Sequence, residues 1–224
     1  MRMIRSSILC LGALVVTASV LCGQELGKYR TFSLGTSLTS VLKRMDQKLA
    51  DVAVTHDRPV LLQELTWWPS NPPGMSSRSD SVEQIRFSFY NGELYKISVT
   101  YEQTSTEGLT ADDMVKSIAA THGPATSVVP EADSTTNDRY DLKLKPVASW
   151  EDSQYSFTLV RSSFTDRFGL VIWSKRVNAE VELALAEAVK LDKQEGPKRE
   201  AQRQKKEADD LEAARQKNQK TFRP

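Results

Sequence analysis

The chain has 224 residues, 39% of them hydrophobic and 26% charged, with nine prolines and ten glycines. These proportions fit one globular unit with attached segments, and they exclude a collagen, a polytopic membrane protein and a wholly disordered chain. The formal charge of +1 is spread unevenly: Arg2 and Arg5 sit in the first 23 residues, and residues 192–224 carry ten bases against seven acids, which leaves 18 bases and 22 acids, a net of −4, for residues 24–191. Gripping a phosphate backbone needs a clustered basic face, for which a mildly acidic body is a poor candidate, so nucleic acid is not an expected partner.

The opening Met1-Arg-Met-Ile-Arg precedes an uncharged apolar run from Ile8 to Cys22, and polarity returns at Gly23-Gln24-Glu25. This is the order of a secretory signal peptide. The run is shorter than the roughly 20 residues of a permanent membrane helix. Residues 1–23 are therefore expected to be a removable leader, and the mature protein to be exported without a transmembrane span, to the periplasm or the exterior. Cys10 and Cys22 are the only cysteines, so the exported body forms no internal disulfide. Cys22-Gly23 is a candidate acylation site, but Leu21 stands where a lipobox has Gly, Ala or Ser, and a soluble protein cut near Cys22 to Gln24 is the favoured expectation.

Leu38, Val41, Leu42, Met45 and Leu49 recur at helical spacing, with Thr36 or Ser37 placed to cap the start, predicting a helix over 37–49. Residues 51–57 read as a connector and Pro59 to Trp68 as a strand, followed by an exposed Pro- and Ser-rich loop. Glu83 to Tyr101 is a hairpin around Asn91-Gly92. A three-residue loop sets Phe87 opposite Tyr95, and puts Ile85, Phe87, Phe89, Tyr95, Ile97, Val99 and Tyr101 on one face. Thr110 with Asp113 forms a capping box for a helix that stops at Gly123-Pro124. Strands follow at Leu142–Trp150, Tyr155–Ser162 and Phe168–Lys175.

Residues 36–101 and 110–175 thus share one order, a helix and three strands. The fold class expected is α+β: an antiparallel sheet of about six strands from two such halves, with helices on one face and a charged C-terminal helix. Residues 24–175 form the domain, 176–191 a docking helix, and 192–224, beyond a break at Glu195-Gly196-Pro197, a charged helical or disordered tail.

Ser33-Leu-Gly35 before the first helix, the Phe89-Tyr-Asn-Gly-Glu-Leu94 hairpin, and His122-Gly-Pro-Ala125 after the second give an element order over residues 29–175 that resembles exported bacterial proteins of the beta-lactamase-inhibitor-like fold, including the outer-membrane-assembly lipoproteins. It is also similar to uncharacterised exported bacterial proteins. The first resemblance implies a binding or scaffold role; the lipobox and surface residues of that family are not matched.

No GxGxxG after a strand, GxxxxGK[ST], HExxH, paired CxxC or GxSxG occurs, so the common phosphate, zinc and nucleophile-elbow mechanisms lack their local signatures. No cofactor and no metal site is expected. His56 is read as a connector residue and His122 as a helix-end residue. The acids between Glu131 and Asp138 lack the glycine and terminal glutamate of a calcium loop. The candidate interaction residues are Trp67, Trp68 and Trp173, of which at least one is expected on the outer sheet face. The function expected is non-catalytic binding or scaffolding of an envelope protein or peptide, with the tail as spacer or as a peripheral membrane or wall contact. The alternatives are an envelope-polymer hydrolase using His56 with loop acids, and a tether anchored through Cys22.

Overall fold

The computed structural model describes residues 25–69, 81–130, 144–221 and 223. The proposed leader, Cys22 and the acids from Glu131 to Asp138 lie outside these residues. The described chain begins with a small hairpin, β1 (Lys28–Tyr29) and β2 (Phe32–Ser33), and helix α1 (Leu38–Met45). A 3-10 turn at Leu49–Asp51 leads into β3 (Val52–His56), β4 (Leu62–Trp67), β5 (Val82–Tyr90) and β6 (Glu93–Tyr101). The second half has a short helix α2 (Gln103–Thr106), then α3 (Ala111–His122), β7 (Ser127–Val128), β8 (Leu144–Glu151), β9 (Tyr155–Ser162) and β10 (Phe168–Ser174). Helix α4 (Lys175–Thr221) ends the chain.

Strands β3 to β10 form one antiparallel sheet in the order β3-β4-β5-β6-β10-β9-β8-β7. The protein is α+β, and its two halves meet about the central β6–β10 pair. Eight strands stand where about six are predicted, because each half gains an edge strand. β3 occupies the expected connector; its middle residues are exposed, so no hydrophobic alternation marks it. β7 is only two residues long.

One row of paired residues shows where the core sits. Leu65, Phe87, Ile97, Ile172, Phe157 and Trp150 are successive partners across six strands, and each is at most 2% exposed. Leu38, Val41 and Leu42 of α1 and Met114 and Ile118 of α3 cover this inner face. Burying a side chain of this size contributes about 1.5–3 kcal/mol, so the row and its helices carry most of the stability.

Helix α1 starts at Ser37, whose hydroxyl accepts from the Ser40 amide, and stops where Asp46 turns left-handed at φ 53°. It is therefore a turn shorter than predicted. The α3 capping box forms as expected: the Thr110 hydroxyl accepts from the Asp113 amide, and the Thr110 amide donates to the Asp113 carboxylate.

The β5–β6 hairpin differs from its predicted register. Asn91 and Gly92 both have positive φ, the pattern of a two-residue turn, and Tyr90 pairs with Glu93 and Phe89 with Leu94. A bulge at Tyr95 then brings Ser88 opposite Lys96 and Phe87 opposite Ile97. Leu94 thereby joins the inner core. Tyr95 points the other way, into a smaller cluster with Leu62, Val177 and Val181. A bulge re-aims one side chain while keeping the rest of the strand in phase.

Helix α4 is continuous through Pro197, where a break is predicted. The proline forfeits one backbone hydrogen bond, and Arg199 spans the site with contacts to Asp192 at 3.6 Å and Glu195 at 2.5 Å. Further i,i+3 and i,i+4 pairs follow, Arg203 with Glu200 and Glu207 and Arg215 with Glu212, each worth a few tenths of a kcal/mol, about 0.2–0.5.

Candidate functional site: the outer sheet face and helix α4

In a strand, neighbouring side chains point to opposite faces. The row one residue away from the buried row is accordingly the outer one: Glu64, Ser88, Lys96, Trp173, Ser156 and Glu151 are successive partners. An apolar row and a polar row thus lie back to back on the same six strands. The next outer row holds Thr66, Arg86, Ser98, Val171, Thr158 and Ser149. Val160, Val171, Thr158 and Ser156 are buried on this face, while Lys96, Ser98, Thr100 and Trp173 are half-buried and Arg86 is exposed.

The acids of the first outer row are held by hydroxyls. Ser88 donates to Glu64 at 3.4 Å and Ser156 to Glu151 at 3.2 Å. Lys175, the first residue of α4, donates to the other Glu151 oxygen at 2.8 Å. At the far end of the face Arg167 pairs with Glu83.

Helix α4 walls one margin of this face. Val177 and Val181 pack on Leu62 and Tyr95, Ala184 and Ala188 are also buried, and Glu195 lies 3.6 Å from Arg58. Beyond Gly196 its described residues are exposed to Thr221, an extension of about 40 Å at the 1.5 Å rise of an α-helix. Leu183, Leu185 and Val189 are exposed on the docked part.

Where the helix meets the first outer row, His56, Glu64, Ser88, Tyr95 and Leu185 line a cleft of 250 Å³. Burial, with Glu64 beside it, pushes the Tyr95 phenol up to about 12. Neither Glu64 nor Tyr95 stands out in the sequence as a partner for His56. Period-2 alternation places Glu64 on the face of Leu62, but the Tyr95 bulge has no local sequence signal.

The three candidate tryptophans, Trp67, Trp68 and Trp173, do not come together. Trp67 faces inward, its ring 6.3 Å from that of Phe32. Trp68 follows the end of β4 and is 60% exposed. Trp173 alone stands on the outer face, between Lys96 and Ser156. The two histidines are separated by the sheet. His122 lies on the inner side against the Phe157 ring, centroids 4.7 Å apart, and desolvation holds its imidazole below the usual histidine range. Among the described residues no three of His, Cys, Asp and Glu gather as a metal site, and no helix is long and apolar enough to cross a membrane. No family model, curated protein or solved structure matches this chain.

Proposed function

We propose that this protein is an exported, non-catalytic binding or scaffold protein of the bacterial envelope, which engages a protein or peptide through its outer sheet face and the extension of α4. One observation carries the reading: the two faces of the sheet are unequally covered. The inner face lies under α1, α3 and the N-terminal hairpin. The outer face is walled by α4 along one margin; among the described residues Ser156, Thr158, Val160 and Val171 are buried on it, Lys96, Ser98 and Trp173 are half-buried, and Arg86 is exposed. An aromatic ring flanked by a cation and hydroxyls is a surface of the kind that anchors protein interfaces. The resemblance in element order to binding and scaffold proteins leans the same way.

The test is crosslinked capture from the native envelope fraction with three forms of the protein: unaltered, lacking residues 198–224, and Trp173→Ala with Arg86→Glu. A partner captured by the first and lost from the outer-face variant assigns the contact to the sheet. Loss only on truncation assigns it to the helix. Equal capture by all three removes the site assignment. The hydrolase alternative has the His56–Glu64 cleft as its support, and envelope-polymer turnover that is unchanged in Glu64→Gln would dismiss it.

A further inference from the structure

The second half contains a cavity at the place where the first half is closed. In the first half the start of α1 is stitched to the β5–β6 hairpin: the Leu38 amide donates to the Gly92 carbonyl at 2.8 Å, and Ser37 bridges Glu93. The hairpin is tied in turn to the start of β4, with the Asn91 amide donating to the Leu61 carbonyl and the Leu61 amide to the Asn91 side chain. In the second half, among the described residues, no backbone hydrogen bond joins the start of α3 to the β9–β10 turn. A cavity of 410 Å³ lies between them, within the range of about 300–1,000 Å³ typical of small-molecule sites.

Its walls are Val115, Val128, Pro146 and Val147. Its polar groups are unevenly matched. Lys145 on β8 is the direct partner of Arg161 on β9, and like charges placed opposite each other on one face repel. Arg161 is compensated by Asp166, which takes two contacts from its guanidinium at 2.6 and 2.7 Å. Lys145 has no ion pair among the described residues, Asp112 on the opposite wall included. The capping box uses the Thr110 and Asp113 amides and Asp112 and Asp113 make the first turn of α3 acidic, so the helix end is not where an anion would settle.

We propose that this cavity is a binding site for a small monocarboxylic acid with an apolar body, its carboxylate on Lys145 and its body between Val115 and Val147. The site is on the inner side of the sheet and is independent of the outer-face reading. The probes are 4-phenylbutyrate and its uncharged analogue 4-phenylbutyramide, titrated into the 15N-labelled protein. Saturable amide shifts at Ala111, Val115, Val128 and Val147 are expected with the acid, and about tenfold weaker binding of the amide, the factor of one charge-assisted hydrogen bond. Lys145→Met should weaken the acid by the same factor and leave the amide unchanged, with a dispersed spectrum showing that the fold is kept. Absence of saturable shifts at these residues, equal affinity for acid and amide, or unchanged acid binding in Lys145→Met would each overturn the proposal.

Discussion

The two halves repeat one order of elements yet differ in whether the start of the helix is fastened. Helix α1 is held at its start, by Leu38 and Ser37 on the β5–β6 hairpin. Helix α3 is held at its finish, where the buried Trp150 indole donates to the Gly123 carbonyl at 2.9 Å and stands edge-on to Phe157. A short two-residue turn lets the first hairpin reach its helix. The longer turn between β9 and β10, Ser163 to Arg167, folds on itself, the Asp166 amide donating to the Ser162 carbonyl. The end of a helix that is not fastened is where space opens, and the cavity beside Lys145 is found there.

The sharpest way to break this contrast is at Trp150. Trp150→Ala should cost about 3–5 kcal/mol of stability in chemical denaturation. Trp150→Phe retains much of the packing but leaves the Gly123 carbonyl without its donor, for roughly 1–3 kcal/mol. A Phe variant as stable as the parent would show that α3 is not anchored there. Gly169→Ala probes the seam between the halves. An added Cβ would meet the Val99 carbonyl oxygen at 2.6 Å, and forcing β6 and β10 apart should cost about 1–3 kcal/mol. Calorimetry should then show one transition moved as a whole rather than one half melting early.

The smaller changes separate the two anchors. Gly92 has φ +81° and open space around it, so Gly92→Ala costs only backbone strain, about 1 kcal/mol. Hydrogen exchange should rise in α1 and stay unchanged in α3. Thr110→Ala removes the cap at the unfastened start of α3, again for about 1 kcal/mol, and exchange should rise there instead. The same change has a pH signature. Hydrogen bonds from the Thr110 hydroxyl and amide hold the exposed Asp113 carboxyl below its usual range. A carboxyl lowered on folding adds stability that is present at neutral pH and lost as pH falls through its folded value. An NMR titration of Asp113 should therefore have a low midpoint that returns toward the ordinary one in Thr110→Ala.

Much of the inner face was legible because a strand's alternation is a local property. Phe157, Leu159, Leu170 and Ile172 announce their side by spacing alone, and the Thr110–Asp113 box needs only neighbours three residues apart. The hairpin register was not legible. Counting side chains by type favours putting Tyr95 with Ile97, whereas the bulge trades Tyr95 for Leu94 because α4 offers Tyr95 a second apolar surface. The edge strand β3 escaped for a related reason: its exposed residues have no pattern, and only pairing with β4 makes it a strand.

The candidate sites divide in the same way. Trp173 stands on the outer face, one residue out of phase with the inward Ile172, but Trp67 and Trp68 do not join it. The meeting of His56 with Glu64 and Tyr95, and of Lys145 with Arg161, joins residues distant in sequence and is set by strand order and helix docking. The sequence by itself determined the α+β class, the two-fold repetition of element order, the Thr110 cap and most of the core, since each follows from periodicity or from contacts within a few residues. Tertiary structure alone decided the strand count, the continuity of α4 through Pro197, which half closes on its helix, and which polar side chains face one another. Those depend on long-range pairing, whose energy is spread over many contacts and leaves no mark at any single position.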